Sequence, residues 1–246
     1  MMRNIKLTIE YDGKEFNGWQ KQPNKANIQG EIERAIKQIT KEDVELYASG
    51  RTDSGVHALG QVANFKTNSN IPTSKIAIAI NSQVKNSIRI INVEEVEENF
   101  HSRYCCKQKT YRYVINNSSN GSSVYRNLEY HMPVKLDFGK MQQAIGYFEG
   151  EHDFKAFKSS GTSSKSSVRT IYSANIKKEG ERIIIELTGN GFLYNMVRII
   201  SGTLVDIGLG KIKPEELPNI IESKDRTKAG KTLPPQGLFL VEVKYI

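Results

Sequence analysis

Apolar and polar residues alternate along residues 4–11, with Ile5, Leu7 and Ile9 on one face and Lys6, Thr8 and Glu10 on the other. A period of two predicts a half-buried strand. Residues 12–25 are polar and interrupted by Gly and Pro, which reads as a loop. Ile28, Ile32, Ala35, Ile36 and Ile39 then recur at helical spacing. Gln29 and Glu31 fall in the first turn of that helix, where a negative charge suits the dipole. Residues 44–48 and 61–66 read as strands flanking a polar loop, 49–55. Pro72 suits the start of a short helix ending near Asn81, and residues 88–96 form another strand.

A second series begins near Lys109. Residues 110–115 read as a strand and 128–131 as a short one. Asp137 has the chemistry of an N-cap, followed by Met141, Ala144, Ile145 and Phe148 at helical spacing. Residues 159–167 (SSGTSSKSS) are a low-complexity loop. Residues 169–177 and 182–189 predict a hairpin turning at Glu179-Gly180, 192–206 a long helix ending near Gly208, and 238–245 a last strand. The order strand–helix–strand–strand–helix–strand occurs once before about residue 100 and more loosely after it. The expectation is an α+β fold of two pseudo-repeated halves, 1–104 and 105–246. They would share a mostly antiparallel mixed sheet, with helices on one face and an active-site cleft between the halves.

Composition narrows the partners. The 246 residues carry 35 Lys+Arg against 27 Asp+Glu, a formal net charge of +8. An excess of this size suits a polyanion, because each cation set beside a phosphate releases a condensed counterion. The two cysteines, Cys105 and Cys106, are adjacent, so they supply neither a disulfide framework nor the spacing of a zinc site. A reducing, cytoplasmic setting is expected. No apolar run is long enough to span a bilayer, and the alternating first ten residues lack the apolar core of a signal peptide.

The stretch with chemistry in it is Ser49-Gly50-Arg51-Thr52-Asp53-Ser54-Gly55-Val56-His57-Ala58, between two predicted strands. Two glycines, which open backbone angles closed to other residues, bracket one carboxylate and one guanidinium. Asp-Ser-Gly is also ordinary turn chemistry, and Arg51 with Asp53 equally reads as a surface ion pair. The four histidines show no metal-ligand spacing. Ala229-Gly230-Lys231-Thr232 looks like a phosphate loop, but Asp225 stands where that loop needs glycine. No cofactor site is expected.

The string Gly50-Arg51-Thr52-Asp53-x-Gly55-Val56-His57-Ala58 closely resembles the catalytic motif of the tRNA pseudouridine synthase A family. The resemblance covers nearly the whole chain. Tyr11-Asp-Gly-x-x-Phe16-x-Gly18-Trp19-Gln20 resembles the family's N-terminal signature, and Ile28-Gln29-Gly30-Glu31 the start of its first helix. Lys109-Thr-Tyr111-Arg-Tyr113, Gly150-Glu-His-Asp-Phe154-x-Ala-Phe157 and Val168-Arg169-Thr170-Ile171 follow in the family's order. Gly191-Phe-Leu-x-x-Met196-Val-Arg198 and Pro234-Pro-x-Gly237-Leu238 complete the set.

The resemblance implies isomerisation of uridine to pseudouridine in tRNA, at positions 38, 39 and 40 of the anticodon arm, by a homodimer without a cofactor. It implies Asp53 as the catalytic aspartate, attacking the sugar, assisting proton removal or stabilising positive charge there. Arg198 matches the family's arginine partner, offsetting the cost of burying a carboxylate. Tyr111 matches the tyrosine that stacks on the extruded base, an aromatic contact of roughly 1–3 kcal/mol. Tyr113 shares its strand parity, so one of the two tyrosines is open to a purely packing role. Arg51 matches an arginine that holds the RNA backbone, and Leu238 an apolar residue lining the uracil site or a plain core leucine. Lys155, Lys158, Lys165 and Arg169 cluster around the Ser-rich loop as candidate phosphate contacts. Two other readings compete. A non-catalytic RNA-binding module explains the charge and Tyr111 but not the glycine-bracketed Asp53. A hydrolytic glycosidase needs a second carboxylate, recruited from Asp12 or Asp153.

Overall fold

The computed structural model describes residues 2–161 and 166–245. The chain divides into two compact units, Met1–Lys107 with Phe239–Ile246, and Gln108–Leu238. The class is α+β, with mostly antiparallel strands and five α-helices among the described residues.

The first unit carries β1 (Arg3–Tyr11), α1 (Ile28–Thr40), β2 (Tyr47–Ala48), β3 (His57–Thr67), α2 (Thr73–Asn81) and β4 (Ile88–Val96), the order expected for the first half. Ile5, Leu7 and Ile9 are fully buried, as the alternation in β1 requires. β1 pairs antiparallel with β3 on one side and β4 on the other. The helix α1 starts at Asn27, whose side chain accepts from Gly30 N, and stops at Lys41 in the left-handed conformation. Its Ile28, Ile32, Ala35 and Ile36 are buried.

In the second unit, β5 (Gln108–Asn116) and β6 (Tyr130–His131) precede α3 (Phe138–Ile145). Asp137 caps α3 by accepting from Lys140 N, as its place in the sequence predicted. Then follow β7 (Gly150–Asp153), β8 (Val168–Glu179), β9 (Arg182–Gly189), α4 (Met196–Gly208) and α5 (Leu217–Ser223). β9 lies between β5 and β8, antiparallel to both, and β7 pairs with β8 at the edge. The β8–β9 hairpin turns at Gly180, whose φ of 58° suits glycine. The chain then returns to the first unit, where β10 (Leu238–Lys244) pairs parallel with β3 through Phe239 and Leu240.

Three expectations shift for physical reasons. The strand expected over 44–48 is confined to Tyr47–Ala48, because the Leu46 amide donates to the Glu33 carboxylate instead of to a strand. β3 begins at His57, ahead of the expected start, and runs through Gly60. A Cβ on Gly60 would lie 2.5 Å from Val241 O, so the glycine there admits β10 and does not end the strand. The helix α4 starts at Met196 and not at residue 192, because Asn195 stands at φ 61°, ψ 7°, outside the right-handed helix. No helix is long and apolar enough to cross a membrane among the described residues.

Candidate active site

The loop bearing Asp53 is held by the segment that follows β1. Gly13 passes so close under the loop that a Cβ there would sit 2.0 Å from Val56 O. Gly18, at φ 86°, would set a Cβ 2.6 Å from Thr52 O and 3.2 Å from the Asp53 carbonyl carbon. Two glycines therefore bring backbone against backbone beneath the carboxylate-bearing peptide. Trp19 N donates to Thr52 O (3.0 Å), and Ser54 Oγ donates to Phe16 O (3.2 Å). Phe16 and Trp19 are each 2% exposed, so the platform is itself part of the core.

From the other side, Gln61 on β3 secures the start of the loop. Its Nε2 donates to Gly50 O (2.9 Å), while its Oε1 accepts from Ser49 Oγ (2.7 Å). Tyr11 and Thr52 share a buried 2.7 Å hydroxyl hydrogen bond. Burial pushes the Tyr11 phenol far up, against the lowering effect of Thr52 and Gln61, so the phenol stays neutral. Val56 N donates to Asp53 O (3.1 Å), closing the turn. His57 is buried, stacks on Phe239 and holds Nδ1 3.1 Å from both Gly13 N and Asp12 Oδ1. Asp53 is half-buried and Arg51 exposed.

In the second unit the two tyrosines of β5 separate cleanly. Tyr113 is fully buried, donates its hydroxyl to Pro234 O (2.7 Å) and packs against Gly237, where a Cβ would come within 2.9 Å of its ring. It is the packing tyrosine. Burial pushes its phenol far up, with Arg198 acting in the opposite sense. Tyr111 is half-buried and meets Phe192 edge-on, ring centres 5.0 Å apart. A T-shaped contact sets the angle between the two ring planes.

Phe192 belongs to a turn, residues 190–195, that touches three candidate side chains. Asn190 exchanges hydrogen bonds with Thr170, anchoring the turn to β8. Gly191 lies under the Arg169 side chain, 3.5 Å from Nε to a built Cβ. Asn195 Oδ1 accepts from Arg198 Nη1 (2.7 Å). Arg198 is half-buried on α4, and its Nε donates to Leu233 O (2.6 Å). Leu233 N in turn donates to Arg198 O (3.3 Å). The strap 229–233 that carries Leu233 is the phosphate-loop lookalike. It packs backbone to backbone on α4, with Gly230 N donating to Thr203 Oγ1 and Gly202 admitting Lys231 O. Its glycine serves packing, and the strap holds Arg198 in place.

The remaining candidates are spread more widely. Lys155 is exposed and Lys158 half-buried, on and just after the 3-10 turn Phe154–Phe157. Arg169 is half-buried and donates Nη1 to Ser166 O and Val168 O. Lys165 lies outside the described residues. Leu238 is 6% exposed. Both carboxylates that a hydrolase would recruit have structural work. Asp12 caps the turn Gly13–Glu15 through Lys14 N. Asp153 caps the turn Phe154–Phe157, accepts from Ser167 Oγ and pairs with Lys224 at 3.1 Å. The Ser167 hydrogen bond, helped by Lys224, holds the Asp153 carboxyl below the usual carboxylate range. Sequence reasoning gave no role to Phe192 and passed over Asn195 and Leu233. The one available signal was Asn195 itself, a residue that tolerates the left-handed conformation, standing just before a helix.

The sequence profile of a family described as tRNA pseudouridine synthase matches residues 7–105 and 144–246. A curated relative named tRNA pseudouridine synthase A from Caldicellulosiruptor saccharolyticus is 57% identical over 244 residues, 99% of this chain and all of the relative. One of the same name from Acetivibrio thermocellus is 54% identical over the same extents. So is tRNA pseudouridine synthase A 2 from Clostridium perfringens. Among solved structures, an H/ACA RNP bound to a substrate RNA containing 2'-deoxyuridine matches with a TM-score of 0.37 and 13% identity, over 83% of this chain and 43% of that one.

Proposed function

The chain belongs to the tRNA pseudouridine synthase family, an isomerase of uridine in tRNA, and we propose that Asp53 is its catalytic carboxylate, acting on uridines 38, 39 and 40 of the anticodon arm. The observation that carries this reading is the construction of the Asp53 loop: two close-packed glycines, a buried Tyr11–Thr52 pair and Gln61 hold one half-buried carboxylate. The non-catalytic binding module has no use for such a loop, and family membership sets it aside.

The reaction is redox-neutral. The N1–C1′ bond breaks, the uracil turns, C5 joins C1′, and the proton lost from C5 is balanced by one gained at N1. A carboxylate serves it as nucleophile at the sugar, as a base toward the sugar, or as counter-charge to a developing cation. All three need the ionised form. A desolvated carboxylate needs a cation to stay charged, the role that the family resemblance gives to Arg198. Tyr111, its plane set by Phe192, offers its face to the extruded base. Leu238 gives the uracil an apolar contact. Arg51, exposed beside Asp53, takes a phosphate, as do Lys155, Lys158, Lys165 and Arg169 farther along the RNA. The strong resemblance along the chain supports a homodimer acting in the cytoplasm as part of the same proposal.

The test is pseudouridine mapping on tRNA transcripts that carry uridine at 38, 39 and 40 and elsewhere in the arm. Modification confined to those three positions is expected. Modification only outside the anticodon arm contradicts the assignment of target.

A further inference from the structure

Asn195 is one of four described non-glycine residues with positive φ, and it stands between Tyr194 and the first turn of α4. A left-handed backbone costs an ordinary residue free energy, and such residues persist where the surroundings hold them. Here both ends of the side-chain amide are engaged. Oδ1 accepts from Arg198 Nη1 at 2.7 Å, and Nδ2 donates to Ser159 Oγ at 3.0 Å. The orientation of the amide is unambiguous, because a guanidinium only donates. Ser159 is fixed in turn by its own amide, which donates to Tyr194 O at 3.1 Å.

These contacts give Arg198 two restraints of different kinds. Leu233 O binds Nε and serves as a hinge at the base of the guanidinium. Asn195 binds Nη1, nearer the tip, and stops rotation about that hinge. A helical Asn195 would carry its side chain elsewhere on the turn, so the left-handed backbone and the Arg198 contact belong together.

We propose that Asn195 is a positioning residue for the uridine isomerisation: it sets the angle of the Arg198 guanidinium and ties it to Ser159, the first residue of the Ser-rich segment. The proposal rests on Arg198 having the functional role given above. Asn195 itself touches no substrate in this account and acts through Arg198.

Asn195→Gly separates this role from a structural one. Glycine adopts the left-handed backbone at least as readily as asparagine, so the fold keeps its turn while the amide is lost. The experiment measures kcat, KM and Tm for wild type, N195G, R198K and N195G/R198K, using tritium release from a tRNA transcript labelled at uracil C5. A guanidinium displaced by a fraction of an ångström to an ångström lowers the rate by roughly 10- to 100-fold. The expected result is that loss in kcat for N195G, with KM and Tm unchanged, and little further loss when the same change is made in R198K. A slow R198K combined with a wild-type kcat for N195G overturns the Asn195 assignment alone. So does an equal loss in both backgrounds, or a loss that follows a lowered Tm. A wild-type rate for R198K overturns the reading of Arg198 on which the assignment rests.

Discussion

The loop 49–56 in the first unit and the turn 190–195 in the second each hold candidate site residues, and they are built in opposite ways. The loop is braced from one short segment, residues 11–19, through backbone contacts that only Gly13 and Gly18 allow, joined by the Tyr11–Thr52 hydroxyl pair. Its supports are encoded as a contiguous pattern, and Gln61 completes it from the adjoining strand. The turn is held by its own side chains: Asn190 accepts from the Thr170 amide, and Asn195 reaches Ser159 and Arg198, which the strap 229–233 holds in turn. Backbone contact fixes a peptide rigidly and is intolerant of any added atom. Side-chain contact fixes a single group and tolerates change at the cost of that group's aim. The first design places a carboxylate and the second orients a ring and a cation.

Substitution sharpens the contrast. The largest effect is expected from Gly18→Ala. The left-handed backbone alone costs about 1–3 kcal/mol, and the 2.6 Å approach to Thr52 O forces the Asp53 peptide to move. Denaturant unfolding should show the loss, and kcat should fall beyond what the unfolded fraction explains. Gly180→Ala is the control: φ is 58° but nothing lies within 4 Å of the added carbon, so only the backbone cost of about 1–2 kcal/mol is expected, with kcat unchanged. An equal response at both sites breaks the account of the loop. Next comes the pair of tyrosines. Tyr111→Ala should lower kcat/KM by about 5- to 150-fold, the worth of one stacked base, with stability nearly kept. Tyr113→Phe should do the reverse, costing about 0.5–1.5 kcal/mol of stability through the lost Pro234 hydrogen bond and leaving kcat intact. Comparable kinetic losses in both variants would erase the division between the stacking and the packing tyrosine.

The same contrast explains what was legible in the sequence. Period-two burial gave β1 and period-3.6 burial gave α1 and α3, because one buried face leaves a local signature. The Asp53 loop was legible through its own string of residues and its conspicuous glycines, although the segment that braces it lies far back along the chain. Gly60 was harder: its purpose is set by Val241, far along the chain. The strand expected at 44–48 failed because a side chain, Glu33, took the Leu46 amide. Asn195 and Leu233 were invisible as well. Leu233 acts on Arg198 from far along the chain, and Asn195 reaches Arg198 only through a left-handed backbone that no periodicity marks. Tyr111 and Tyr113 had identical patterns, and only the approach of Pro234 and Gly237 to one of them tells the two apart.

The central claim is that Asp53 carries the isomerisation. The most direct measurement is tritium release from a tRNA transcript labelled at uracil C5, comparing wild type with Asp53→Ala and following tRNA binding and Tm in parallel. Isomerisation must expel the C5 hydrogen, so the assay reports the reaction whichever role the carboxylate plays. The account predicts release by wild type and a loss of at least about 10²-fold in the variant, with binding and Tm preserved. Release by Asp53→Ala at the wild-type rate would contradict it.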